Sequence, residues 1–290
     1  MQRYIESNRK KVNESMEQLF QRADIPEKLY DSMMYSLLAG GKRLRPILLT
    51  ASYDSFATSN EKVMNTAIAL EMIHTYSLIH DDLPAMDDDD YRRGKLTNHK
   101  QFDEATAILA GDALLTYSFE LITKDTLLTA NEKVFLLNEL AKASGPEGMV
   151  AGQMLDMESE GKQITVEQLE KIHERKTGRL ITFAIIAGAH LAKVQQIQLD
   201  ELKTYAHYLG LVFQVQDDIL DVIGDPEKLG KPVGSDALNE KSTYPNLLGL
   251  DGAERHKETY IKKAEKALER AKPNNDYLYD LLHHFGDRTY

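Results

Sequence analysis

The chain has 290 residues, 42% of them hydrophobic and 28% charged, the composition of a folded globular protein rather than a disordered or fibrous one. It contains no Cys, which excludes disulfides, thiolate nucleophiles and Cys-ligated zinc or iron–sulfur sites. Its net charge of −11, from 35 basic and 46 acidic residues, argues against a nucleic-acid partner, because a phosphate backbone needs a basic face.

Glycine and proline are sparse, and most of the sequence reads at helical period. Residues 2–22 predict an amphipathic helix carrying Tyr4, Ile5, Val12, Met16, Leu19 and Phe20. Pro26 opens a second helix to Leu38, and Gly40-Gly41 stops it. A basic knot, Lys42-Arg43-Leu44-Arg45-Pro46, then starts a further helix. Residues 61–82 predict a long helix with His74, Ser77, Leu78 and Asp81 on one face, which ends or kinks at Leu83 because Pro84 disfavours helix there. More helices follow at 102–123, 132–144, 147–160, 166–191, 197–223 and 253–271, with a short one at 275–285. Hinges fall at Gly145-Pro146 and Gly161, and a loop from Gly224 to Gly234 carries Lys228 and Lys231. No segment of useful length has strand period, and nothing repeats at a fixed interval. The expectation is a single all-α domain over residues 1–290, with ten or more helices around a central cavity. The N-terminus has no apolar signal core, and the longest apolar run, Leu180 to Ala189, is too short to span a bilayer. A cytoplasmic protein without a membrane partner is the expectation.

The chain is organised around Asp81-Asp82-Leu83-Pro84-Ala85-Met86-Asp87-Asp88-Asp89-Asp90, closed by Tyr91-Arg92-Arg93-Gly94. A second acid cluster, Asp217-Asp218-Ile219-Leu220-Asp221, lies in a nearly all-apolar helix. Asp217 and Asp221 are four apart and share a helix face with Gln214 and Gly210. Acids on a helix that is otherwise apolar point into an interior cavity. Asp81 and Asp82 fall in the last turn of their helix, where the macrodipole disfavours negative charge by ~0.3–1 kcal/mol each. Oxygen-only ligands suit Mg²⁺, which takes a few carboxylates and completes its shell with substrate phosphates. These features predict two acid motifs that share Mg²⁺ and grip a diphosphate. A diphosphate so neutralised becomes a leaving group. Its departure from an allylic carbon leaves a carbocation that needs an apolar, water-free cavity. The plain alternative for the Asp run is a solvated acidic loop, with Arg92 and Arg93 merely pairing with it.

Six blocks together carry a resemblance. Ser77-Leu78-Ile79-His80-Asp81-Asp82-Leu83-Pro84-Ala85-Met86-Asp87 with Arg92-Arg93-Gly94 resembles the first aspartate-rich motif of the trans-prenyltransferases, in the spacing of the short-chain bacterial farnesyl diphosphate synthases. Phe213-Gln214-Val215-Gln216-Asp217-Asp218-Ile219-Leu220-Asp221 resembles the second. Gly40-Gly41-Lys42-Arg43-Leu44-Arg45-Pro46, Gly152-Gln153-Met154-Leu155-Asp156, Lys176-Thr177-Gly178 and Lys231-Pro232-Val233-Gly234-Ser235-Asp236 complete the set in order.

The resemblance implies a Mg²⁺-dependent transferase that condenses isopentenyl diphosphate with dimethylallyl and geranyl diphosphate to give (E,E)-farnesyl diphosphate and pyrophosphate. It implies three Mg²⁺ per active site, with Mn²⁺ able to substitute, and a homodimer. Asp81, Asp87 and Asp217 would bind metal, with Asp82 in support and Asp221 acting through water. Arg92, Lys176 and Lys231 would hold the allylic diphosphate, with Thr177, Gln214 and Lys241 beside the reacting carbon or its leaving group. Lys42, Arg45, His74 and Arg93 would hold the diphosphate of isopentenyl diphosphate. Tyr76, with Ser77 beside it, would set chain length as a floor under the growing tail. The departing pyrophosphate would take the proton, so no side chain acts as general base. Two alternatives share the fold: a geranylgeranyl diphosphate synthase, and a class I terpene cyclase, which has no use for a second diphosphate pocket. More distant are an HD-type phosphohydrolase built on His80-Asp81 and a regulatory subunit without activity.

Overall fold

The helical periodicity becomes helices close to where the sequence places them. The computed structural model describes residues 1–20, 24–57, 61–224 and 242–288. Lys231 and Lys241, with the expected loop beyond Gly224, lie outside the described residues. The helices are α1 (Gln2–Phe20), α2 (Glu27–Leu37), α3 (Leu44–Asp54), α4 (Met64–Asp81), α5 (Asn98–Gln101), α6 (Glu104–Lys124) and α7 (Ala130–Ser144). They continue as α8 (Met149–Ser159), α9 (Val166–His173), α10 (Arg179–Leu191), α11 (Gln196–Ile223), α12 (Tyr244–Ala271) and α13 (Tyr277–Gly286). The fold is all-α, as expected.

Local chemistry sets many of the ends. Asp103 caps α6 by accepting from the Thr106 N–H, and Thr165 opens α9 in a capping box with Gln168. Thr243 caps α12 by accepting from the Asn246 N–H. Pro84 lies just beyond α4, which stops at Asp81 as the sequence predicts.

Four elements differ from the sequence reading, the first being α5, a short helix where none was expected. The helix expected over 166–191 is broken by a turn of π-helix, Glu174–Gly178, between α9 and α10. The last long helix starts at Tyr244 rather than 253, because Thr243 caps it and Pro245 is tolerated in a first turn. It is interrupted at Gly249, whose φ of +71° only glycine adopts without cost. A hairpin of two-residue strands, β1 (Tyr91–Arg92) and β2 (Lys95–Leu96), stands where no strand was expected. Its turn residues Arg93 and Gly94 both have positive φ, +55° and +75°, the signature of a type I′ hairpin.

The chain groups into two compact units. One, here the N-terminal unit, holds residues 2–50 and 60–137; the other, the C-terminal unit, holds Met1, 51–59 and 138–290. In the N-terminal unit α4 packs against α6, and α1 and α2 add to that pair. α4 is buried on most faces, through Ala67, Ile68, Leu70, Met72, Ile73 and Tyr76. α6 is long and apolar enough by length and composition to cross a membrane, and it buries Ala107, Ala110, Leu114 and Ile122 as a core helix does. In the C-terminal unit α11 packs along α12 and against α10, with the π turn seated between α8, α9 and α11.

Candidate active site

In the N-terminal unit the first acid motif forms at the exposed end of α4. The chain leaves the helix after Asp81 and doubles back, so that the Asp87 N–H donates to the Asp81 carbonyl at 2.9 Å. The Leu83 carbonyl accepts from Met86 and Asp88 at 2.8 and 3.2 Å and tightens the turn. Asp87 is thereby returned beside Asp81, and the five residues between them form the turn. Asp82 is different. It is buried, and the Arg92 Nε and terminal nitrogen donate to one of its oxygens at 2.6 and 2.5 Å. Burial pushes the Asp82 carboxyl up from the usual carboxylate range, against the downward pull of Arg92. Arg92 also lies 3.5 Å from Asp89. Arg92 therefore does pair with the Asp run, with Asp82 as its anchor.

The next residue, Arg93, goes elsewhere because the type I′ turn reverses the chain. Its guanidinium donates to the Gly40 carbonyl and lies flat against Gly41. A Cβ at Gly41 would stand 2.6 Å from the Arg93 Cζ, and the φ of +122° there favours glycine. Beneath that loop Arg43 is locked in the core. It donates to Glu71 at 2.8 Å and to Asn13 at 2.9 Å, and the two side chains of the ion pair are 1% and 3% exposed. A buried pair this dry fixes geometry more than it adds stability. It holds the Gly40-Gly41 loop in place, leaving Lys42 exposed and Arg45 half-buried on either side. His74, on α4, feels this concentration of charge: burial, then Arg45, Arg93, Arg92 and Arg43, hold its imidazole well below the usual histidine range. His74 thus stands in one electrostatic cluster with Arg45, Arg93, Arg92 and Arg43.

On another side of α4, Tyr76 is buried with its ring edge-on to His80 at 5.8 Å. The His80 Nε2 reaches the Ile108 carbonyl of α6 at 3.1 Å, and Gly111 makes room for the ring. His80 serves helix packing, which removes the structural basis of the HD-type alternative. Ser77 turns its hydroxyl back to the His74 carbonyl at 2.9 Å.

In the C-terminal unit the second acid motif lies on α11. Asp218 is buried about 100° round the helix from Asp217. It accepts from the Tyr244 N–H at 3.0 Å, at the N-terminus of α12, where a carboxylate is favoured. Asp217 carries a different partner, Arg288, which donates to it at 2.5 Å. Arg288 also donates to the Phe213 carbonyl at 2.9 Å and lies 4.1 Å over the Phe213 ring. Its own carbonyl accepts from Gln216 at 2.8 Å. Asp221, one turn beyond Asp217, is buried.

Lys176 and Thr177 sit in the π turn. π-Bulges insert a residue into a helix at a local energetic cost and recur at functional sites. Here the bulge turns Lys176 toward α8, where its ammonium donates to Asp156 at 2.6 Å. Gly152, one turn before Asp156, lets the backbones meet: a Cβ there would stand 2.1 Å from the Lys176 nitrogen. Gln214 approaches His173, the last residue of α9, at 3.3 Å.

Three of these residues escaped the sequence reading. Asp156 was visible in its block but looked as much structural as functional. Arg43 was hidden inside a run of cations, of which only its burial singles it out. Arg288 is a lone cation near the end of the chain and leaves no periodic signal.

The donor sets fit Mg²⁺. Among the described residues no three acid or histidine side chains converge as a closed metal cage. Mg²⁺ does not need one, since it keeps waters and takes one or two carboxylates plus substrate phosphates. Asp81 with Asp87, held together by a backbone hydrogen bond, and Asp217 with Asp221, one turn apart, are such partial sets.

The chain belongs to the polyprenyl synthetase family, whose profile matches residues 26–281. It is 49% identical to the farnesyl diphosphate synthase of Bacillus subtilis over 280 residues, 96% of this chain and 95% of that one. Among solved structures it is similar to a putative farnesyl-diphosphate synthase from Marinomonas sp. MED121 (40% identity, TM-score 0.85, covering 99% and 98% of the two chains). It is similar also to a Helicobacter pylori geranyltransferase complexed with magnesium and isoprenyl diphosphate (34% identity, TM-score 0.82, covering 97% and 96%).

Proposed function

We propose that this chain elongates prenyl diphosphates to fifteen carbons. It condenses isopentenyl diphosphate with dimethylallyl and then geranyl diphosphate, releasing pyrophosphate at each step. The observation that carries this reading is the divergence of Arg92 and Arg93. One hairpin turn sends Arg92 to Asp82 and Arg93 to the Gly40-Gly41 loop with the His74–Arg45 cluster. Two cations with different anchors suit two diphosphate substrates, whereas a terpene cyclase uses one. The identity with farnesyl diphosphate synthases over nearly the whole chain supports the same reading and the fifteen-carbon product.

In this reading Asp81, Asp87 and Asp217 hold Mg²⁺, with Asp221 acting through water and Asp82 serving as the anchor of Arg92. Mg²⁺ bound there supplies Lewis-acid neutralisation of the diphosphate. Arg92 and Lys176, with Lys231, grip the allylic diphosphate, and Thr177 and Gln214 lie beside the reacting carbon. Asp82 and Asp156 pre-orient the two cations, so little side-chain reorganisation is left for binding. Lys42, Arg45, His74 and Arg93 grip isopentenyl diphosphate. A His74 kept neutral donates one hydrogen bond to a phosphate oxygen without adding to the repulsion among its arginines. The allylic C–O bond breaks and pyrophosphate leaves with the electron pair. The isopentenyl double bond attacks the cation, and the new cation loses a proton to pyrophosphate. The magnesium complex of the H. pylori relative supports Mg²⁺ use. Three ions per site, replacement by Mn²⁺, a place for Lys241 in the site and a homodimer complete the proposal.

The test is product analysis with labelled isopentenyl diphosphate and each allylic primer in turn. Label in farnesyl diphosphate from both dimethylallyl and geranyl diphosphate is expected. A twenty-carbon product from farnesyl diphosphate would move the reading to geranylgeranyl diphosphate synthesis.

A further inference from the structure

His173 is outside every block that the sequence singled out, yet its ring joins the second acid motif of α11 to the start of α12. It ends α9 immediately before the π turn that holds Lys176 and Thr177. Its side chain is 12% exposed. On one edge, Nδ1 lies 3.3 Å from the Gln214 amide nitrogen. On the other, Nε2 lies 3.8 Å from the Asp218 carboxylate and has no hydrogen-bond partner. One face stacks on Tyr244, with 15° between planes and 5.9 Å between centroids. Tyr244 in turn donates its N–H to the same Asp218 oxygen. Gln214 and Asp218 are four residues apart on α11, so the imidazole spans one turn of that helix.

The donor and acceptor inventory fixes the polarity of this chain of contacts. The Asp218 carboxylate only accepts, which favours the tautomer with the ring proton on Nε2; Nδ1 is then an acceptor and selects the NH₂ end of the Gln214 amide. With its NH₂ group committed to Nδ1, the Gln214 amide has its orientation set: the carbonyl oxygen is the end left to face away from His173. Beside a developing allylic cation a carbonyl oxygen is stabilising and an NH₂ group is not.

We infer that His173 is a positioning residue for prenyl transfer. Oriented by Asp218 and the Tyr244 ring, it sets the amide polarity of Gln214 so that oxygen rather than nitrogen is offered to the reacting carbon. This rests on the prenyl-transfer reading, and wild-type condensation in the same assay tests that reading separately.

The experiment is a double-mutant cycle on the full chain, with kcat and KM for isopentenyl and geranyl diphosphate. His173→Phe keeps the stack on Tyr244 and removes the acceptor. It is expected to lower kcat by ~10–100-fold, the usual range for a residue that orients a ligating group, with both KM values little changed. His173→Asn, which replaces Nδ1 with a carbonyl oxygen, should recover most of that loss. In a Gln214→Leu background His173→Phe should cost nothing further, because the group it orients is gone. Three results would overturn the proposal: wild-type kcat in His173→Phe, equal losses in the Phe and Asn variants, or a Phe loss that persists undiminished beside Gln214→Leu. Folding is checked by circular dichroism. If His173→Phe does not fold, the cycle is run with His173→Leu, and failure of both to fold would make the residue purely structural and sink the inference.

Discussion

Gly152→Ala tests whether the close seat of α8 on the π turn matters for the reaction. The added Cβ would stand 2.1 Å from the Lys176 nitrogen, 2.5 Å from its Cα and 2.7 Å from the Arg175 carbonyl carbon. All three are backbone atoms, so no side chain can swing aside. Ordinary contact begins at 3.4 Å, so helix and turn must part by the difference, about 1.3 Å. Asp156 is one turn along the same face of α8 and moves with it, which stretches its 2.6 Å bond to Lys176. Overpacking of this kind costs ~1–3 kcal/mol, and misplacing a substrate-gripping group by ~1 Å costs on the order of 10²-fold in rate. The expected outcome is a lower urea midpoint together with kcat reduced about a hundredfold. The KM for isopentenyl diphosphate should hold, since its candidate ligands belong to the N-terminal unit. Wild-type stability would refute the packing argument. Lost stability with unchanged kcat would refute the link from Gly152 through Lys176 to the chemistry.

Arg93→Ala should chiefly raise the KM for isopentenyl diphosphate, whereas Asp217→Ala should chiefly lower kcat, by removing stabilisation that grows as the leaving group gains charge; the same pattern in both variants would show that the two sets are not separate. Tyr76→Ala should shift product from fifteen carbons toward twenty or more, provided circular dichroism shows it folded, since losing a buried ring costs ~3–5 kcal/mol; an active variant still making fifteen carbons removes Tyr76 as the floor. His74 is held neutral in the fold while the unfolded chain takes up its proton below pH ~6.5. The native state therefore loses stability as pH falls from that value toward the folded pKa. Urea midpoints at pH 7 and pH 5 should differ less in His74→Gln than in the wild type, and an equal drop in both would contradict the assignment.

Sequence and structure agree most closely where periodicity and chain-breaking residues speak together. The end of α4 at Asp81 follows from Pro84. The π turn was not legible, because Glu174–Gly178 has helical periodicity and the inserted residue shows only in the hydrogen-bond ladder. The hairpin was missed because its strands are two residues long, too short for an alternating pattern, although Arg93-Gly94 carries half of a type I′ signature. Nothing local distinguishes Arg43 from Lys42 or Arg45; only its contact with Glu71, twenty-eight positions on, makes it an anchor rather than a ligand. Asp218 was indistinguishable from Asp217 by composition, and helical geometry alone put them on different faces.

The most direct test of the whole account is the stoichiometry of pyrophosphate release. Purified protein is given geranyl diphosphate and Mg²⁺, with and without labelled isopentenyl diphosphate, and the same pair is run in excess EDTA. One pyrophosphate for each label incorporated into farnesyl diphosphate, with none in EDTA and only background without isopentenyl diphosphate, is the predicted result. Sustained pyrophosphate release without isopentenyl diphosphate, or turnover in EDTA, would contradict it.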